Sequence, residues 1–264
     1  MSRVSLNRII TPGRSNIFPG VGGDPYLDDL VWQAKCQDGI TGYPTLTDSV
    51  AGNNATIYSA GDTITYPGSP AQVYPYFDGV NDYATAGNVA AANIQNNLAI
   101  CMWINESPAL SGVRFFGGKV NLAGHRQYYL YRYNAKYRFN VSADGANTTS
   151  VSFDNGSRIS GRDVFLCGVY RYDLHTSSEM RLFMNAADPG VLQLIGTSSI
   201  AVGPLYASST AQLSIAAGYD GSSFTYFNNM NLKRMEIFNV DASRIDDWID
   251  GTNPGFRFAA GSGQ

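Results

Sequence analysis

From Leu30 to Phe238 the chain is a succession of short β-rich runs, broken every few residues by Gly, Pro, Asn or Asp. That punctuation leaves little room for a helical protein and points to many strands joined by turns. The run Leu98-Ala-Ile-Cys-Met-Trp-Ile104 is apolar almost throughout, which marks a strand covered on both faces. Gln127–Tyr133 and Lys136–Ser142 flank Asn134-Ala135 and read as a hairpin. In its second arm Tyr137, Phe139 and Val141 share one face, and Lys136, Arg138 and Asn140 share the other, one dry and one wet. Further strands are predicted at 30–34, 56–58, 63–66, 74–77, 150–153, 164–172, 180–184, 211–216 and 231–238. One helix is predicted over Asp241–Asp250. Asp241 or Ser243 offers its N-cap, Ile245, Trp248 and Ile249 form its stripe, and Gly251 closes it. The expected fold is all-β: a two-sheet antiparallel sandwich or jelly roll with one short C-terminal helix.

The chain has 264 residues, within the range of one large β domain. Residues 1–26 form an extended N-terminal arm, 27–252 the sandwich and 253–264 a C-terminal tail. The arm is rich in breakers (Thr11-Pro-Gly-Arg14, Phe18-Pro-Gly-Val-Gly-Gly-Asp-Pro25) and basic, since Arg3, Arg8 and Arg14 precede the first acid, Asp24. It reads equally as a loose terminus or as a segment ordered on a neighbouring subunit. Net charge is −3, which argues against nucleic acid as the partner of the whole domain. No apolar run is long enough to cross a bilayer, and no secretion signal is visible. Cys36, Cys101 and Cys167 have no metal-binding spacing and read as buried free thiols.

The order of motifs resembles the laminin G-like branch of the concanavalin A-like lectin/glucanase superfamily, and in particular the single-domain versions of bacteria and bacteriophages. Leu30–Ala34 and the turn Thr47–Asn54 are similar to its opening strand and turn. Phe77-Asp-Gly-Val-Asn-Asp-Tyr83 is similar to its "F-D-G-x-D-D-Y" signature. Leu98–Ile104, Val164–Asp173, Met180–Asn185, Leu213–Gly218 and Asn231–Trp248 follow in the family's order, with Phe165 where Trp is usual and Ala186 in place of a Gly. The likeness spans roughly residues 28–250. It implies a jelly roll whose loops carry any function.

Glucanases of that superfamily place two or three carboxylates on one strand face, because glycoside hydrolysis needs a pair. The best candidate strand here, Arg234-Met-Glu-Ile-Phe238, offers only Glu236. Asp246, Asp247 and Asp250 read as a solvated helix face. His125 and His175 stand in polar loops without a nucleophile elbow, and no phosphate-binding glycine motif occurs. No catalytic residue and no cofactor are therefore assigned. For calcium, Asp78, Asn81 and Asp82 could supply hard oxygens, with Asp220 and Asn228 as further donors. The same Asp-Gly-Val-Asn-Asp is also what a tight turn needs. For a sugar, Tyr129, Tyr131 and Tyr133 lie on one side of their strand, opposite Tyr128, Leu130 and Arg132, and could form an aromatic platform.

These readings converge on a non-enzymatic virion protein of a bacteriophage: a capsid decoration, head fibre or tail-associated lectin-like module. Its arm, through Arg3, Arg8 and Arg14, would anchor it to viral structural proteins. It would be multimeric on the particle, made in the host cytoplasm, and open to cell-surface glycans through avidity. The alternative is a free, extracellular carbohydrate-binding module or adhesin. A glycan hydrolase is the weakest of the three.

Overall fold

The computed structural model describes residues 9–10, 27–36, 45–59, 74–106, 111–154, 159, 161–172, 179–185, 190–199 and 203–262. Among them are β1 (Ile9–Ile10), β2 (Leu30–Lys35), β3 (Thr45–Leu46), β4 (Ala55–Tyr58), β5 (Tyr76–Asp78), β6 (Tyr83–Gly87), β7 (Leu98–Glu106), β8 (Val113–Val120) and β9 (Tyr128–Tyr133). There follow β10 (Lys136–Val141), β11 (Thr149–Asp154), β12 (Asp163–Arg171), β13 (Glu179–Met184), β14 (Leu192–Ser198), β15 (Gln212–Ile215), β16 (Gly218–Tyr219), β17 (Phe224–Thr225) and β18 (Asn229–Asn239). Two helices close the chain, α1 (Ile245–Ile249) and α2 (Thr252–Ser262). The segment 63–66, predicted as a strand, lies outside the described residues.

Sixteen of these strands form two eight-stranded antiparallel sheets, and β16 and β17 pair with each other as a separate antiparallel ribbon. The first runs β1-β14-β13-β12-β7-β18-β2, with β5 also paired to β18; the second runs β11-β10-β9-β8-β15-β6-β4-β3. Between them lies the main core. From the first sheet it takes Ile100, Met102 and Ile104 of β7, Val164 and Leu166 of β12, and Leu182 of β13. From the second it takes Phe116, Leu130, Tyr137, Phe139 and Val151. Gly168 faces this core, and a Cβ there would meet the Phe139 ring at 2.5 Å. The absence of a side chain at Gly168 lets the Phe139 ring lie against backbone.

The first sheet is covered on its other face as well, which explains the unbroken apolar run of β7. Ala99, Cys101 and Trp103 alternate outward with the inward set and join Phe165, Cys167 and Phe183. Ile245, Trp248 and Ile249 of α1 and Phe258 of α2 complete this second cluster. Phe258 stacks on Trp103 with ring centroids 5.3 Å apart. The expected helix is present as α1. Asp241 does not cap it directly: its carboxylate accepts from the backbone N–H (2.8 Å) and hydroxyl (2.6 Å) of Ser243 and shapes the turn leading in. Residues from 253 onward, read from the sequence as a tail, are helical to Ser262. Pro254 and the glycines give this segment a weak helical signal, and packing on Trp103 and Phe165 supplies the stability that propensity does not.

Within the N-terminal arm only Ile9 and Ile10 are described. They pair antiparallel with Gln193 and Leu192 of β14, so this piece of the arm adds a strand to the first sheet. Arg3, Arg8 and Arg14 lie outside the described residues. No helix among the described residues is long and apolar enough to cross a membrane.

Candidate functional site

The hairpin read from the sequence is β9 and β10, in register with Lys136 opposite Tyr133 and Arg138 opposite Tyr131. Asn134 takes φ +54 in its two-residue turn, a conformation Asn tolerates better than most residues. Its side chain accepts from the Gly112 N–H at 3.1 Å, which ties the turn to the start of β8. Alternation then separates the side chains. Tyr128, Leu130 and Arg132 point into the sandwich, where Arg132 is fully buried and paired with Glu106 of β7 at 2.7 Å. The Tyr137 hydroxyl donates to the other Glu106 oxygen at 3.2 Å, so one polar group crosses the core and links both sheets.

The opposite face is the outer surface of the second sheet. Tyr129, Tyr131 and Tyr133 lie there, but they are not equivalent. Tyr129 is 8% exposed, packed against Phe115, and its hydroxyl accepts from Asn140 at 2.9 Å. Burial raises its pKa, and the site uses it as support rather than as contact surface. Tyr131 leans on it with ring centroids 5.4 Å apart. Tyr133 is 46% exposed and offers a ring to solvent. Arg138 of β10 lies between the outer two: its guanidinium carbon is 5.7 Å from the Tyr131 ring centre and 5.8 Å from that of Tyr133. Its Nη1 donates to the Tyr131 hydroxyl at 3.0 Å.

Beside these groups is a depression of about 190 Å³ lined by Tyr133, Asn134, Ala135, Lys136, Arg138 and Asp154. Lys136 and Asp154 form an ion pair at 3.3 Å across its rim, both about half exposed. The register places Ser150, Ser152 and Asp154 of β11 on this same face, beside Asn140, Arg138 and Lys136. The result is a shelf with a ring wall, a cation, and a hydroxyl-bearing edge strand. The tyrosine stripe and the wet face of β10 were both visible as alternation. Their meeting at Arg138, and the contribution of β11, needed the strand register, which no local pattern encodes.

The calcium candidates Asp78, Asn81 and Asp82 gather in the turn between β5 and β6. Asp78 Oδ1 accepts from the N–H groups of Val80 (2.7 Å) and Asn81 (3.3 Å), and Asp82 Oδ2 from that of Asp78 (3.0 Å). These oxygens hold the turn itself. Asp220 shapes a separate turn by accepting from the N–H groups of Ser222 and Ser223, and those bonds pull its pKa down to about 2. Among the described residues no group of three or more His, Cys, Asp or Glu comes together.

Glu236, the carboxylate weighed for hydrolysis in the sequence, is 2% exposed beside Arg257 of α2. It accepts from Gln33 at 2.5 Å and pairs with Arg234 and, at 3.8 Å, Arg257. A substrate cannot reach it, and its charge is already matched. His125 bonds the Tyr206 hydroxyl at 3.2 Å through Nδ1. His175 lies outside the described residues. A second aromatic group, missed in the sequence, stacks Tyr58 of β4 on Tyr83 of β6 (4.9 Å) and Tyr83 on Phe224 of β17 (3.9 Å). Its members come from three separate segments, so no single stretch announces them.

The described residues define a two-layer antiparallel β-sandwich. Solved structures with this arrangement include receptor-binding domains of botulinum neurotoxins. The binding domain of neurotoxin DC in complex with SialylT superposes with a TM-score of 0.60 at 12% identity, covering 89% of this chain and 51% of that one. The serotype D ligand-binding domain in complex with N-acetylneuraminic acid gives a TM-score of 0.56 at 14% identity, covering 85% and 51%. The mosaic C/D receptor-binding domain gives 0.54 at 14%, covering 86% and 51%. The chain thus spans about half the length of these neighbours, and at such identity the likeness concerns the fold alone. No protein-family model matches the chain, and no curated protein matches it.

Proposed function

We propose that this chain is a non-enzymatic glycan-binding module whose ligand lies on the shelf of Tyr131, Tyr133 and Arg138. The observation that carries the reading is the half-exposed Tyr133 ring beside a partly covered guanidinium and a shallow depression. A pyranose presents an apolar face and a rim of hydroxyls. An aromatic ring matches the first, and fixed polar groups match the second. The burial and pairing of Glu236 support the non-enzymatic part. The neurotoxin domains solved with SialylT and N-acetylneuraminic acid support the scaffold's suitability, although no residue is transferred from them.

The test is a glycan array on the purified chain, followed by titration of the best ligand. Tyr133→Ala should weaken that ligand about tenfold, the order of one lost aromatic contact, with the circular dichroism spectrum unchanged. Absence of any bound saccharide, or unaltered affinity in Tyr133→Ala, would refute the reading.

At a finer level the module is a laminin G-like domain carried on a bacteriophage particle and held by residues 1–26. The motif order and the basic, breaker-rich arm support this placement. Removing residues 1–26 should abolish particle association while glycan binding persists; equal particle association would refute the anchoring role.

A further inference from the structure

We infer that the shelf selects sugars carrying a carboxylate, and that Arg138 is the residue that sets this specificity. The inference rests on the glycan-binding reading and narrows it to one ligand class.

Arg138 differs from the arginines of the described residues that meet an acid and from those that donate to backbone carbonyls, Arg114, Arg126 and Arg162. Arg132, Arg171, Arg181, Arg234 and Arg244 each meet an acid: Glu106, Asp246, Glu179, Glu236 and Asp29. Arg138 meets the Tyr131 hydroxyl and two tyrosine rings, all neutral. Those partners orient the guanidinium without neutralising it. Its Nε is shielded from water, so the terminal Nη groups are the ones that can face a ligand. A planar cation held on a strand by ring contacts can present those groups side by side to a carboxylate.

The surroundings favour the same ligand. The ionic groups lining the depression are Lys136, Arg138 and Asp154, two cations against one carboxylate. Lys136 and Asp154 answer each other, so the surplus charge belongs to Arg138. The whole chain has a net charge of −3, so a cationic recess on it is a local reversal. At about 190 Å³ the recess is smaller than the ~300 Å³ at which drug-sized sites begin, a size suited to one terminal sugar. Ser150 and Ser152 bring hydroxyls onto the same face.

The experiment uses the full chain and pairs of oligosaccharides that differ only in the acid: one capped with N-acetylneuraminic acid against its desialylated form, and one ending in glucuronic acid against its glucose counterpart. Wild type should prefer the acidic member of at least one pair by about tenfold, with the preference shrinking as salt is raised. Arg138→Gln should erase the preference, weakening the acidic member of the pair about tenfold more than the neutral one. Arg138→Lys should recover only part of it, because an ammonium cannot make the planar two-point contact. Equal affinity of wild type for both members of each pair overturns the inference, as does a preference that survives in Arg138→Gln. If Tyr133→Ala still weakens binding in those cases, the glycan reading stands and only the carboxylate assignment falls. If neither acidic nor neutral sugars bind, both fall.

Discussion

Single residues show how burial decides chemistry in this fold. Arg132 and Arg138 are both arginines of the same hairpin, and the period-two alternation of strands sends them to opposite fates. Arg132 enters the core and is matched by Glu106; losing either partner of such a pair would leave a buried charge at a cost of about 3–5 kcal/mol. Lys119 of β8 is the contrasting case. It is fully buried and donates to Asn88 Oδ1 at 2.5 Å and to the Val89 carbonyl at 2.9 Å. Burial pulls its pKa down to about 8 from 10.5. Between those values the unfolded chain holds a proton that the folded chain has released, so this residue's contribution to stability rises with pH. Below pH 8 both states are charged, and the full cost of burying the cation is present. Urea unfolding of wild type and Lys119→Met should show wild type gaining about 2 kcal/mol on the variant from pH 8 to pH 10.5. Taking the difference cancels the cysteine and tyrosine ionisations common to both chains. A difference independent of pH would show that Lys119 keeps its charge throughout.

At the scale of elements, packing rather than local preference shapes the molecule. β12 runs Phe165, Cys167 and Val169 against the helices, and Val164, Leu166, Gly168 and Tyr170 against the second sheet. Gly168 is where that layer admits the Phe139 ring. Gly168→Ala should cost about 1–3 kcal/mol by thermal or urea unfolding, since the ring must move before a methyl fits; an unchanged midpoint would mean the sheets are not held this close. Strands with a strong period or an unbroken apolar run, such as β7, β9, β10, β12, β13 and β18, were legible in the sequence within a residue or two. β8 and β14 were not. β8 carries Gly117 and Gly118 at its bulge and β14 carries Gly196, which break the pattern that propensity relies on. α2 escaped for the same reason: its apolar contacts are tertiary, and its composition is that of a linker.

For the whole molecule, the two-sheet architecture could be read from strand spacing because each sheet needs one dry face, and that need writes itself into alternation. The candidate site could be read only in part. Tyr131 and Tyr133 stood out as a stripe, but Tyr129 beside them proved to be support, and Arg138 became a site residue only through register with β9. Function in a sandwich of this kind sits where two strands bring unlike side chains together, and such juxtapositions leave no contiguous trace. Glu236 illustrates the converse: it is closed over by Gln33, Arg234 and Arg257 of α2, and serves stability. The most direct measurement is an amide and side-chain NMR titration of the full chain with two oligosaccharides, one capped by N-acetylneuraminic acid and one by glucuronic acid. Binding on the shelf requires saturable shifts at Tyr131, Tyr133, Arg138 and the neighbouring residues of β11. Shifts concentrated elsewhere, at the His125–Tyr206 loops or the Tyr58–Phe224 stack, or no saturable shift at all, would contradict it.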